Sequence, residues 1–459
     1  LEKGWEKMKK EVGLVEKISF GLGDFALNGI FTFVSTYLMF YYTDVACLDL
    51  SAISLIILIG RVVDAICSPI MGAVIDKTHS KYGKCRPYVA AAIFPACILM
   101  IVLFSIPSGL SEGNKVLMSI GVYVLFSICY PIMNVPYSTL LNVLTDDNDE
   151  RISFNLFKNA GANVGATFVT AVALKLVAVF SKGGKNGFTG TSFVLALLFL
   201  VVTVICVRNI KERVSTQSEK DTNLKESLKV VAQNRPWKIL CVVQFLSLAA
   251  YIIRNQGTIY YAKYYLENES VSSLMLSMTS VIAFCFSFLL PSFVKKHGLR
   301  FCVIVGNICW SLSMVGTWFA GKNVVLIVGL HVLTSIGWSM ATGMVFVILT
   351  QTIDYGQWKT GKRPQGLLTS LLTFVQKIGV ALAGVLCSVI LNLGHYVANQ
   401  AAGPSALLAI KIMFGGIPLT TSIICMILMS FYHLDELYPQ IEKDLKNGVT
   451  MENKEKQSC

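Results

Sequence analysis

Charged and amide side chains interrupt stretches that are otherwise apolar, and their spacing groups them. Asp24 and Asn28 are four residues apart, Arg61, Asp64 and Ser68 follow at intervals of three and four, and Asn134 precedes Tyr137 by three. On a helix each set shares a face. Arg254 with Asn255 and Gln256, Gln351 with Asp354, and Lys377 stand in later apolar stretches. An ionised group in lipid costs roughly 2.5–3.5 kcal/mol on insertion scales, so each asks for a use. Carboxyl, amide and ammonium groups can hold the hydroxyls of a polar solute, and a carboxyl can exchange a proton. His79, His297, His331, His395 and His433 lie far apart, and the 13 cysteines form no CxxC pair or Cys/His cluster. Neither a metal site nor a disulfide framework is expected. The plainer reading of the polar groups is glue between helices or, for Asp24 and Asp354 near span ends, the interface. Asp64 and Lys377, placed mid-span, fit it least.

The elements that must position these groups are helices long enough to cross a bilayer. Of 459 residues, 54% are hydrophobic and 14% charged, against about 25% charged in soluble chains. About twelve apolar blocks appear, near 18–42, 52–75, 88–106, 116–141, 155–179, 190–208, 237–262, 272–294, 301–320, 325–350, 367–393 and 406–432; about 20 residues suffice to cross. Spans one, four, seven and ten carry the most polar groups, as helices lining an aqueous cavity would. The net charge of +12 sits mainly before the first span and in the even-numbered connections, with Lys77, Lys84 and Arg86 in the second and Lys211, Arg213 and Arg235 in the sixth. Both termini are therefore expected in the cytoplasm, and the charge needs no nucleic-acid partner. No signal-peptide core or cleavage site is visible, so no cleaved leader is expected.

The longest internal polar stretch divides the chain. The predicted architecture is an all-α integral membrane protein of two pseudo-symmetric six-helix bundles: 1–208, a cytoplasmic loop 209–236, a second bundle 237–432 and a cytoplasmic tail 433–459, with the middle loop and the tail from Tyr438 to Cys459 read as solvated connectors. Two such halves match the major facilitator type, whose substrate site lies near the midplane.

The motifs Gly21-Leu-Gly-Asp24-Phe-Ala-Leu-Asn28, Tyr41-Tyr42-Thr43-Asp44-Val45, Arg61-Val-Val-Asp64-Ala-Ile-Cys-Ser68-Pro69, Asp76-Lys-Thr78, Tyr82-Gly83-Lys84-Cys-Arg86-Pro87, Met133-Asn134-Val-Pro136-Tyr137, Glu150-Arg151, Asn255-Gln256 and Asp354-Tyr-Gly-Gln-Trp358 to Arg363, ending at Lys377, run in order along the chain. Together they resemble the glycoside-pentoside-hexuronide:cation symporter family, whose best-known member is the melibiose permease. The resemblance implies a major facilitator fold that moves a sugar or glycoside inward with Na+, H+ or Li+. It also implies a cation site built on two acids in span two. Here Asp64 keeps the first, while Ser68 replaces the second, Cys67 an Asn ligand and Pro131 a Thr ligand. Sodium thereby loses most of its oxygen ligands, and proton coupling, which needs one carboxyl, is favoured over sodium. Arg61 opposes protonation of Asp64 by stabilising the carboxylate, and a structural ion pair between them is the alternative.

For substrate, the resemblance implies Asn28 and Asn134 where the melibiose permease has aspartates, Lys158 near a substrate-side Arg, and Lys377 as the span-eleven Lys. Asp24, Arg254 and Gln256 complete the polar set, with Tyr137 and Trp338 as stacking rings. Tyr41, Tyr42, Tyr264 and Tyr265, at span ends, read more simply as an interfacial aromatic belt. Asp76, Arg86, Glu150, Arg151, Asp354 and Arg363 are expected to form a cytoplasmic gate. Neutral glycosides or pentosides stand slightly ahead of a hexuronide or glucuronide, and an amphiphilic lipid is a further alternative within transport. A membrane-bound transferase is the rival from another class, set back by loops that carry Lys, Ser and Asn rather than concentrated acids or His. The expected setting is a bacterial inner (plasma) membrane, as a monomer, with no cofactor beyond the coupling cation.

Overall fold

The computed structural model describes residues 13–78, 80, 82–145, 148–182, 186–213, 231–361, 365–447 and 449–451, without the side chains of 73, 76, 77, 142, 148, 149, 151, 152, 287, 288, 291, 346, 365, 366 and 446. Among the described residues the regular structure is helical, as long apolar segments require when lipid offers the backbone no hydrogen bonds. In order the helices are α1 (Leu14–Phe40), α2 (Leu50–Lys77), α3 (Arg86–Leu103), α4 (Glu112–Leu144), α5 (Asn148–Phe180), α6 (Gly187–Asn209), α7 (Arg235–Tyr260), α8 (Ser270–His297), α9 (Leu299–Phe319), α10 (Val324–Thr342), α11 (Val345–Thr360), α12 (Gln365–Leu393), α13 (Pro404–Lys411), α14 (Ile417–Ser430) and α15 (Leu434–Lys446).

Eleven stretches among the described residues are long and apolar enough to cross a membrane, and Ser270–Phe286 in α8 is a shorter apolar one. α10 and α11 together make one crossing stretch, Val324–Thr360, as do α13 and α14 over Pro404–Ser430. Several helices overrun their apolar blocks, α4 and α5 by a turn or more, because helical hydrogen bonding continues past the lipid boundary. The tail differs from expectation. Leu434–Lys446 is a helix with Leu434 and Ile441 buried, and its apolar residues at helical spacing drive it onto the protein rather than into solvent.

The chain forms two compact units. The first comprises Leu1–Val34, Ile66–Gly109 and Leu117–Ser218; the second comprises Ser35–Ala65, Leu110–Val116 and Glu219–Cys459. The stretch Ser35–Ala65, drawn from α1 and α2, thus groups with residues late in the chain.

In the first unit, α1 and α5 meet through glycine. A Cβ on Gly161 would lie 1.9 Å from the Gly21 carbonyl oxygen, and one on Gly165 2.3 Å from that of Phe25. Gly161 and Gly165 form the small-xxx-small pattern that lets membrane helices approach backbone to backbone.

One corner motif occurs in each unit. Before α3, Gly83 adopts φ +108°, and the Glu212 carboxylate accepts the backbone N–H groups of Lys84 (2.6 Å), Cys85 (2.9 Å) and Arg86 (2.8 Å). The Arg86 guanidinium donates to the Val207 carbonyl at 2.7 Å. Before α9, Gly298 adopts φ +84°, Asp435 accepts the Arg300 N–H at 2.7 Å, and the Arg300 side chain donates to the Ser430 and Met429 carbonyls at 2.6 and 3.2 Å. A carboxylate at a helix start satisfies donors the helix itself cannot, and the left-handed glycine makes the entry turn.

Candidate functional site

Asp64 and Lys377 meet. Lys377 Nζ lies 3.1 Å from Asp64 Oδ1, with side chains 22% and 13% exposed. The seam that sets this pair is visible two turns away, where a Cβ on Gly384 of α12 would lie 2.6 Å from Ile57 Cγ2 of α2. Asp64 follows Ile57 by seven residues and Lys377 precedes Gly384 by seven. The helices are therefore antiparallel here, and one step of about 10 Å along the seam carries the glycine contact to the ion pair. Arg61 stands one turn before Asp64, half-buried; Ser68, also half-buried, lies one turn beyond on the same helix.

In the first unit, the polar groups of α1 meet α4 and α5. Asp24 is buried, Asn28 Nδ2 donates to the Asp24 carbonyl at 3.3 Å, and the Lys158 charge bears on Asp24. Tyr137 donates its hydroxyl to the Phe20 carbonyl and stacks on the Phe20 ring at 5.0 Å between centroids. The ring expected to stack on substrate is thus fully buried against α1. Asn134 is half-buried one turn earlier on α4, where Pro131 and Pro136 each remove a helix N–H donor.

Three expected substrate contacts besides Lys377 fall in the second unit. Gln256 Nε2 donates to the Ser35 carbonyl at 3.2 Å, leaving its Oε1 without a hydrogen bond among the described residues. Arg254 is enclosed by protein: it donates to the Phe414 carbonyl (2.8 Å), His331 Nδ1 (3.0 Å) and Thr334 Oγ1 (3.2 Å), with Met314 Sδ at 2.9 Å and the Phe414 ring 4.4 Å below its guanidinium. Because arginine only donates, His331 Nδ1 accepts and the ring proton sits on Nε2, 2.6 Å from the Met275 carbonyl. Trp338 stacks on Tyr251 at 4.3 Å and tilts against Trp310 at 5.3 Å, so one face of its ring is already covered. Trp338 and Trp310 border a small cavity with Ser247, Asn307 and Thr421.

The expected gate residues whose side chains are described, Arg86, Glu150 and Asp354, have partners inside their own units. Glu150 pairs with Lys17 at 2.8 Å, and Arg86 serves the corner described above. Asp354 Oδ2 accepts from the Tyr438 hydroxyl at 2.9 Å, while Trp358 Nε1 donates to Asp444 Oδ2 at 2.9 Å, both partners coming from α15. The side chains of Asp76 and Arg151, and all of Arg363, lie outside the described residues.

A cluster at the end of α1 was not among the expected sites. α1 continues into a π-turn, Tyr41–Val45, and α7 into another, Tyr261–Tyr265, each followed two residues on by a left-handed residue, Cys47 (φ 53°) and Glu267 (φ 55°). Between these turns the Asp44 carboxylate, 1% exposed, accepts from Lys263 Nζ (2.7 Å), Thr43 Oγ1 (2.7 Å), the Tyr396 hydroxyl (2.8 Å) and the Tyr264 hydroxyl. Asn399 donates to the Asp44 carbonyl at 2.6 Å. Burial and the adjacent carboxylate hold the Tyr396 hydroxyl above the usual tyrosine range. Tyr41 and Tyr42 are fully buried rather than facing an interface, and Tyr264 is tied to Asp44; the belt reading does not describe these three, because the first two are enclosed by protein and the Tyr264 hydroxyl is held by a carboxylate.

A protein-family model described as MFS/sugar transport protein matches residues 19–436. The isoprimeverose transporter of Lactiplantibacillus pentosus is 32% identical over 451 residues, covering 97% of this chain and 94% of that protein. The uncharacterized symporter YnaJ of Bacillus subtilis (strain 168) is 33% identical over 449 residues, 95% and 96% of the two chains. Among solved structures, the nucleoside transporter NupG superposes with a TM-score of 0.67 at 13% identity, covering 91% of this chain and 99% of that one; that likeness is one of fold.

Proposed function

The chain belongs to the MFS/sugar transport protein family, and from that premise we propose that it imports a sugar or glycoside together with a cation, H+ in preference to Na+, by alternating access. It is a multi-pass membrane transporter of the major facilitator fold and not an enzyme. A relative named for isoprimeverose transport and another named a symporter support the substrate class and the coupling.

The observation that carries the coupling proposal is the Asp64–Lys377 pair, partly open to its surroundings. A proton arriving on Asp64 removes the acceptor that Lys377 holds, and Lys377 Nζ then donates to a substrate hydroxyl instead. Binding of one ligand thus prepares the site for the other, which is the coupling free energy a symporter needs. Arg61 and Ser68 tune and line this site. Asp24, Asn28, Asn134, Tyr137 and Lys158 from α1, α4 and α5, with Arg254, Gln256 and Trp338 from α7 and α10, are assigned to substrate recognition. Arg254 and Tyr137 act through the walls they brace.

In this reading the two halves are the bundles 1–208 and 237–432, both termini are cytoplasmic, and the protein works as a monomer in the inner membrane. Asp76, Glu150, Arg151, Asp354 and Arg363 form the cytoplasmic gate, and Arg86 supports it through the Glu212 corner. A hexuronide is the second substrate reading, favoured by the half-buried Lys158 and Lys377 and by amides at Asn28 and Asn134.

Counterflow and uphill uptake in proteoliposomes, with a glycoside panel, clamped pH and Na+ present or absent, test the proposal. Uptake should follow the proton gradient without Na+, and Asp64→Asn should lose accumulation while retaining exchange. Undiminished accumulation by Asp64→Asn overturns the coupling assignment.

A further inference from the structure

We propose that Asp44 fastens a latch closing the face of the transporter that carries the α1–α2 turn, and that this latch must open to admit substrate from outside. The inference rests on the transport reading above and assigns the outer access step to residues outside its substrate and coupling sites.

Three segments far apart in sequence converge on one carboxylate. The end of α1 supplies Asp44 and Thr43, the π-turn after α7 supplies Lys263 and Tyr264, and the connection from α12 to α13 supplies Tyr396 and Asn399. Four side-chain donors fill the roughly four acceptor positions of a carboxylate. Lys263 also reaches Asn399 Oδ1 at 3.1 Å, and the Tyr264 hydroxyl accepts the Asn399 N–H at 3.1 Å. The connection is shaped for this purpose: His395 (φ 52°) and Asn399 (φ 57°) are both left-handed and flank Tyr396, a conformation uncommon outside glycine.

The choice of chemistry points to a joint that opens. A buried ion pair is a poor static cement, since apolar residues of equal volume often hold as well or better. Its merit is that each member finds water when the joint parts. The turns that bear it are π-helical, a geometry concentrated at functional sites. Its members lie at helix ends and in a connection, where motion need not unpack a helix core.

A native thiol lies beneath the latch. Thr43 Oγ1 is 2.9 Å from the Tyr260 hydroxyl, Cys387 is near enough to act on Tyr260 electrostatically, and Cys387 is fully buried. Opening at Asp44 uncovers this layer. The test uses the full chain in right-side-out vesicles with the exposed Cys47 changed to Ser, and follows labelling of Cys387 by a membrane-impermeant maleimide added outside. Labelling should be slow in this background and faster by about ten- to a hundredfold in Asp44→Asn, the factor expected for losing one charge-assisted hydrogen bond. Tyr396→Phe, which removes one hydroxyl and keeps the ion pair, should give a smaller increase with folding intact. Unchanged Cys387 labelling in folded Tyr396→Phe and Asp44→Asn protein overturns the latch. Equal acceleration with reagent supplied from the inside also overturns it, since that indicates general loosening. The readout needs no substrate, so failure of glycoside counterflow in the unaltered protein would count against the transport reading and leave the labelling result to judge the latch.

Discussion

Asp44–Lys263 and Asp64–Lys377 are the same chemical pair in two settings. Each joins a carboxylate from the first two helices to an ammonium from late in the chain, at 2.7 and 3.1 Å. Asp44 is 1% exposed and Asp64 13%. The first carboxylate is ringed by three hydroxyls besides its lysine; the second lies on the seam between α2 and α12, where Gly384 meets Ile57. A buried carboxylate whose lone pairs are all taken by donors is held in place, whereas one with an open side has room for a further partner. The setting, not the residue types, separates the proposed fastening from the proposed exchange site.

The largest effect expected from this contrast is on stability. Lys263→Ala leaves a dry carboxylate without its cation and should cost about 3 kcal/mol or more, seen as a fall of several degrees in the melting midpoint of detergent-solubilised protein. Lys377→Ala exposes Asp64 to water and keeps Arg61 nearby, and should cost about 1 kcal/mol or less while abolishing uphill uptake. Equal loss of stability in the two variants would erase the distinction between the pairs.

A narrower perturbation acts on the seam alone. Alanine at Gly384 meets the Ile57 Cγ2 methyl, a side-chain atom that shifts if α2 and α12 ease apart, whereas alanine at Gly161 meets the Gly21 backbone, which cannot yield. Gly384→Ala should fold and transport with weakened proton dependence, because the Asp64–Lys377 distance widens as α2 and α12 are pushed apart. Cys387 labelling should stay slow in it. Gly161→Ala should give little folded protein by size-exclusion chromatography. A Gly384→Ala variant with unaltered coupling would show that the seam does not set the pair.

The two pairs also differ in how openly the sequence announces them. Asp64 and Lys377 are legible because a charge in mid-span is too costly to stand idle, and the structure brings them together. Asp44 is camouflaged: it closes a run of aromatic residues at a span end, where Tyr41 and Tyr42 resemble an interfacial belt, and its partners come from segments more than 200 residues away. A tertiary cluster of that kind leaves no periodic trace. The membrane helices and their order followed from apolar length alone. The tail helix α15 did not, because its Asp, Glu and Lys residues hide an apolar stripe at Leu434, Tyr438 and Ile441. That stripe is a readable signal for docking, and it accounts for Tyr438 on Asp354 and Asp444 on Trp358. The repeated corners at Arg86 and Arg300 escaped for a different reason: Glu212 and Asp435 are remote in sequence from the helix starts they cap.

A third carboxylate–lysine pair gives the comparison its lower end and its smallest expected effect. Glu267, the left-handed residue after the α7 turn, meets Lys322 at 2.6 Å, with the side chains 73% and 60% exposed. The hydrogen bond from Lys322, and then its charge, hold the Glu267 carboxyl below the ordinary glutamate range. A carboxyl so depressed contributes stability above its unfolded pKa and loses that contribution as the pH falls through its folded value. Water and salt screen a pair this open almost completely. Glu267→Gln should therefore move the melting midpoint by no more than about 1 °C at neutral pH, and not at all at high ionic strength. If Glu267→Gln instead destabilised the protein as strongly as Lys263→Ala, burial would not be what grades the three pairs, and the assignment of Asp44 to a fastening would lose its physical basis.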